Sequence, residues 1–200
     1  MSIKLPNFKC IIIGDPRTGK TSLLRNLSSK VTEEFNQHLA IHPIIFTTNF
    51  GTITFEIRDT MEQEFKGTLR DSYFHNADCA IILFDVTSMA SYENVFHWHR
   101  RILTVCGKIP IVLCGNKIDI GQRRVTDDRV KFDYGHKLKF FEISIRDEES
   151  ICAPFLFLAQ QLTKKLNFKE DLTEIKRIGS ETDVDLKMLH KMLDEKVKEM

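Results

Sequence analysis

The chain has 200 residues, 42% hydrophobic and 28% charged, enough apolar content to bury one core without disulfides or a structural metal. Its 29 Lys and Arg against 28 Asp and Glu give a net charge of +1, which provides no global attraction to nucleic acid or to an anionic membrane. Direct nucleic-acid binding driven by overall charge is therefore excluded, and any charged partner must be met by a local patch.

In chain order, short apolar runs alternate with helical segments. The first run, Phe8 to Ile13, reads as a strand and is followed by a helix over 20–29. Two runs of β-branched and aromatic residues, Ile44 to Asn49 and Thr52 to Ile57, flank Asn49-Phe50-Gly51 and read as an antiparallel hairpin. A helix is expected over 67–75. Cys79 to Phe84 is apolar at every position, as in a parallel strand covered on both faces. Then come a helix over 91–106, a strand from Ile111 to Cys114, a helix over 126–136, a strand from Phe140 to Ile143 and a helix over 150–166. The expected fold is α/β: a six-stranded mixed sheet, mostly parallel with one antiparallel edge hairpin, and helices on both faces. Residues 8–166 form the expected domain and 167–183 a linker. A C-terminal helix over 184–198 carries Leu186, Leu189, Leu193 and Val197 on one stripe.

The five cysteines show no Cys-x-x-Cys spacing and mostly interrupt apolar runs, as small hydrophobes do in a reducing compartment. The start of the chain has no apolar stretch of signal length, and no run is long enough to span a bilayer. The last four residues hold no cysteine, so no prenylated membrane anchor is expected.

Directly after the first strand stands Gly14-Asp15-Pro16-Arg17-Thr18-Gly19-Lys20-Thr21, with Ser22 next, matching GxxxxGK[ST] between a strand and a helix. In such a loop the backbone N–H groups and the helix N-terminus surround a phosphate. Lys20 adds a positive charge, and the Thr21 hydroxyl is a ligand for Mg²⁺. Alone, the motif specifies a nucleoside phosphate and not which base. A second element, Asn116-Lys117-Ile118-Asp119, leaves the strand that starts at Ile111, where α/β sheets bind ligands. Asp119 is the expected discriminating residue, because a carboxylate accepts two parallel hydrogen bonds from N1–H and the N2 amine of guanine. Adenine turns an acceptor toward it and leaves the charge unpaired. A third element, Ser144-Ile145-Arg146, follows the strand ending at Ile143 and is placed where a backbone N–H could meet a guanine carbonyl oxygen.

With these three elements in this order the chain resembles the Ras superfamily, and residues 8–166 are similar to its Ran branch. The stretches that carry this likeness are His42-Pro43, Leu69-Arg70-Asp71, Phe84-Asp-Val-Thr-Ser88, Trp98-His-Arg100 and Ile109-Pro-Ile-Val-Leu-Cys-Gly-Asn-Lys117. The resemblance implies GTP and GDP as cofactors with Mg²⁺. It implies Asp59 as a metal ligand through water, and Gln63 and Lys20 as catalytic residues. Nuclear transport receptors, an exchange factor and a GTPase-activating protein are the implied partners, in the nucleus and cytoplasm.

The sequence departs from that branch where the γ-phosphate is sensed. Pro16 and Arg17 stand at positions that are normally glycine, and Pro16 has no N–H to donate. The switch segment between Lys30 and His42 is shorter, and its phosphate-binding threonine has no clear match among Thr32, Asn36 and Leu39. Glu62 replaces the glycine of Asp-x-x-Gly in Asp59-Thr60-Met61-Glu62. A carboxylate about 6 Å from a phosphate charge repels it by roughly 3 kcal/mol at an effective dielectric near 20. The basic cluster that meets import receptors is largely lost in Asp133-Tyr-Gly-His-Lys137. The expectation is a slow GTP hydrolase with impaired γ-phosphate sensing. Its alternative is a pseudo-GTPase locked with GDP that acts as an interaction protein.

Overall fold

In the computed structural model, residues 7–28, 41–49, 51–58, 73–134, 138–165, 173 and 175–177 are described. Among the described residues seven strands run β1 (Asn7–Ile13), β2 (Ile41–Thr48), β3 (Gly51–Arg58), β4 (Cys79–Asp85), β5 (Ile111–Asn116), β6 (Lys139–Ile143) and β7 (Ile175–Arg177). Five helices run among the same residues: α1 (Lys20–Ser28), α2 (Met89–Glu93), α3 (Val95–Cys106), α4 (Asp127–Tyr134) and α5 (Glu148–Lys165). The strands form one sheet in the order β6-β5-β4-β1-β3-β2-β7. β1 pairs in parallel with β3 and β4, and β4–β5 and β5–β6 continue in parallel. β2 is antiparallel to β3, as the residues flanking Asn49 and Gly51 imply.

Helices cover both faces. Leu23, Leu24 and Leu27 of α1 pack with Phe155, Leu158 and Leu162 of α5 on one face, around an aromatic cluster of Phe46, Phe55 and Phe155. Tyr92, Val95, Ile102 and Val130, from α2, α3 and α4, cover the other. β4 and β5 are buried at every residue, which explains their unbroken apolar runs. The chain leaves β1 toward α1 on one face, while β4 leads to α2 and α3 on the other. Between them a crevice opens at the C-terminal ends of β1, β4 and β5.

Two features differ from the sequence reading. The helix expected over 91–106 is two helices: α2 starts at Met89, where the Ser88 hydroxyl accepts from the Ser91 N–H at 3.3 Å, and Asn94 separates it from α3. A seventh strand also lies inside the expected linker. β7 pairs antiparallel with β2 through Phe46↔Arg177 and Thr48↔Ile175, and covers the outer side of the hairpin. Three residues carry too little periodicity to announce a strand, and it is the open edge of β2 that organises them. The expected helix over 67–75 falls on residues outside those described up to residue 72, and residues 73 to 76 make a turn. The helix over 184–198 lies wholly outside the described residues.

Candidate nucleotide site

The loop after β1 is shaped by glycine and lysine. At Gly14 a Cβ would fall 1.9 Å from the Leu83 carbonyl oxygen, so only glycine lets the chain leave β1 alongside β4. The chain then wraps around the Lys20 ammonium. Lys20, only 5% exposed, donates to the carbonyl oxygens of Gly14 and Asp15, both at 2.8 Å. The Thr18 hydroxyl donates to the same Asp15 oxygen at 2.9 Å. α1 begins as Leu23 N–H donates to the Gly19 carbonyl at 2.8 Å, which turns the remaining first-turn N–H groups toward the loop. Thr21, half-buried, and Ser22, exposed, are the second and third residues of that helix. Pro16 and Arg17 form the exposed crest, and Arg17 has φ 66°. For a side chain with a Cβ, that left-handed conformation costs about 1–2 kcal/mol. The loop closes around Lys20 with Pro16 and Arg17 on its crest.

The second half of the site is built at the end of β5. Asn116 is fully buried, and its Nδ2 donates to the Thr18 carbonyl at 2.8 Å. A carbonyl can only accept, so this bond fixes the amide orientation. Oδ1 is left buried without a partner among the described residues. An orphaned acceptor costs about 1–3 kcal/mol. Packing alone would not retain it at the seam between two loops.

Lys117 follows with φ 70°, and its Nζ lies 2.5 Å from Oδ2 of Asp85, the residue that pairs with Asn116 across β4 and β5. Burial alone would raise the Asp85 carboxyl, but hydrogen bonds from Lys117 and from the Thr87 hydroxyl and N–H outweigh it and hold the group below its ordinary value. Asp119 stands exposed at the mouth, its Oδ1 accepting from the Ser144 hydroxyl at 2.9 Å. Arg146 approaches Oδ2 at 3.6 Å but is 87% exposed, so water screens that attraction.

The Ser144-Ile145-Arg146 segment is tied down from two sides. Asn26 of α1 donates to the Ile145 carbonyl at 2.9 Å, and the Ser144 N–H donates to the Ser150 hydroxyl at 3.1 Å. All three sequence elements thus converge on one crevice, and Asn116 is the link between the loop after β1 and the turn after β5. Asp59, Glu62 and Gln63, with Thr32, Asn36 and Leu39 of the switch segment, lie outside the described residues.

Sequence reasoning missed Asp85, Asn94 and Trp98. Asp85 and Trp98 entered the sequence reading only inside stretches that carry the Ran likeness, with no role of their own. Asn94 Nδ2 and Trp98 Nε1 donate to the Asp15 carboxylate at 2.6 and 2.8 Å. Their four-residue spacing places them on one helix face, but nothing in the sequence says what that face meets.

The donor set suits a nucleoside polyphosphate: a buried ammonium and helix N–H groups for anionic oxygens, a hydroxyl at Thr21 for a cation, and a carboxylate with an amide for a base edge. Fold and crevice together define a P-loop nucleotide-binding domain. The chain belongs to the Ras family, whose model matches residues 9–164, and is a GTP-binding small GTPase. Proteins of this family bind guanine nucleotide, generally with Mg²⁺. Among the described residues no helix is long and apolar enough to cross a membrane, and no cluster of His, Cys, Asp or Glu forms a metal site of protein ligands alone.

Proposed function

We propose that this protein is a Ran-like GTPase that holds guanine nucleotide firmly but reads the γ-phosphate poorly and hydrolyses GTP slowly, in a role linked to nucleocytoplasmic transport. The observation that carries the base assignment is the Asp119 carboxylate, fixed by Ser144 beside the Asn116 link to the phosphate loop. In this reading Gly14 through Ser22 hold the phosphates, Thr21 and, through water, Asp59 hold Mg²⁺, and Asn116, Lys117, Asp119 and residues 144–146 hold the base. Bound Mg²⁺ neutralises phosphate charge. The chain's own residues orient the nucleotide and exclude adenine.

Slow hydrolysis is supported by the crest of the loop. Pro16 brings a ring and no N–H, and Arg17 occupies a left-handed position that suits glycine. Glu62 adds negative charge to the segment that meets the γ-phosphate. The transport link rests on the sequence resemblance to the Ran branch.

The test is the identity of the nucleotide released from purified protein, followed by calorimetric titration with GTP and GDP. GDP is expected as the bound species, with GTP weaker by on the order of a hundredfold, as the Glu62 repulsion implies. Glu62→Gly should narrow that gap. Equal affinities in the wild-type protein would refute the γ-phosphate reading. Phosphate release no faster than in Lys20→Ala would favour the GDP-locked pseudo-GTPase instead.

A further inference from the structure

A carboxylate inside a loop that receives a polyphosphate has to be held clear of it, because two like charges a few ångströms apart repel at the low effective dielectric of a crevice. Asp15 is that residue. Its backbone carbonyl is the hub of the loop, accepting from Lys20 Nζ and from the Thr18 hydroxyl. Its side chain bonds to α3 instead of the loop: Oδ2 accepts from Asn94 Nδ2 at 2.6 Å and Oδ1 from Trp98 Nε1 at 2.8 Å. Both oxygens are thus engaged by N–H donors on one helical turn, and the negative charge is held away from the loop's interior.

Asn94 stands at the N-terminal boundary of α3 with helical backbone angles, φ −73° and ψ −12°, and makes no side-chain cap bond there. The side-chain bond it does make crosses to Asp15 through Nδ2.

We propose that Asn94 and Trp98 are positioning residues for the phosphate loop. By clamping the Asp15 carboxylate to α3 they fix the carbonyl onto which Lys20 is drawn, and so set how long the nucleotide stays. The clamp also explains how a loop carrying Pro16 and a left-handed Arg17 keeps its closed shape. This inference rests on the guanine-nucleotide reading for its kinetic consequence, and on geometry alone for its effect on the loop.

The test compares wild type, Asn94→Ala, Trp98→Phe, Asp15→Ala and the double variant Asp15→Ala/Trp98→Phe in two measurements. The first is release of a fluorescent GDP analogue. Asn94→Ala and Trp98→Phe should each release it about tenfold faster, and the double variant no faster than Asp15→Ala, since both of its changes break the same contact. The second is hydrogen exchange of the amides from Asp15 to Lys20 without nucleotide, which should speed up in Asn94→Ala and Trp98→Phe. Because Asn94 makes no side-chain cap bond to α3, Asn94→Ala leaves that helix's exchange unchanged. Trp98→Phe keeps an aromatic ring, though a smaller one, and removes the donor, so it serves if Asn94→Ala folds poorly. Release at the wild-type rate, or effects that multiply in the double variant, would overturn the clamp. If no form binds guanine nucleotide, the functional reading falls, and the loop amides still decide the clamp: unchanged exchange rejects it, faster exchange supports it.

Discussion

Replacing Gly19 by alanine probes the seam that joins the two halves of the site. Gly19 has φ 104°, and an added Cβ would lie 2.3 Å from Asn116 Nδ2 and 3.0 Å from Ile145 Cδ1. Asn116 is fully buried and bonded to Thr18, so it cannot yield without breaking that bond. The left-handed strain costs about 1–2 kcal/mol, and a buried hydrogen bond broken on both sides costs about 1–3 kcal/mol. A combined loss of about 3 kcal/mol should lower the melting temperature by roughly 6–12 °C in a domain of this size. If the displaced amide also loses its place at the base, GDP affinity falls on the order of a hundredfold.

Gly107→Ala is the matched control: Gly107 has φ 69°, but a Cβ there meets nothing within 4 Å. With ψ −145° it should show backbone strain alone, about 1–3 kcal/mol, with GDP affinity intact. Calorimetric melting and GDP titration of both variants settle the matter. If Gly19→Ala melts and binds like Gly107→Ala, the reasoning about the seam is wrong.

Asp119→Asn should weaken GDP on the order of a hundredfold, as two charge-assisted bonds are lost. It should also favour a purine with a carbonyl at the 2-position, because the new amide donates where the carboxylate accepted. Competition between guanosine and xanthosine diphosphates checks this. Asp85→Asn tests the Lys117 pair through pH. The Asp85 carboxyl is held below its ordinary 3.8 in the folded state, so its contribution is complete above that value and is lost as pH falls through the lower folded value. Urea unfolding across the acid range should show the wild-type advantage over Asp85→Asn constant near neutrality and vanishing at low pH. Phe155→Ala removes a ring 1% exposed, whose centroid lies 5.1 Å from Phe46 and 5.3 Å from Phe55. It should cost about 3–5 kcal/mol in denaturant unfolding, with little change in GDP affinity for the protein that remains folded.

The sequence by itself determined the mixed sheet and both ligand-facing turns, because these are written in local patterns: unbroken apolar runs for the doubly covered strands, Asn49 and Gly51 at the hairpin, and GxxxxGK[ST] and Asn-Lys-x-Asp after strand ends. It gave no sign of β7, whose three residues take their conformation from the free edge of β2. Nor did it reveal that Asn94 holds Asp15, or that Lys117 reaches Asp85 on the neighbouring strand. Those contacts join residues far apart in the chain, and their partners are decided only when β1, β4 and β5 line up and bring their loops to one crevice. Local pattern specifies what each loop can bind. Only tertiary packing decides what holds each loop in place.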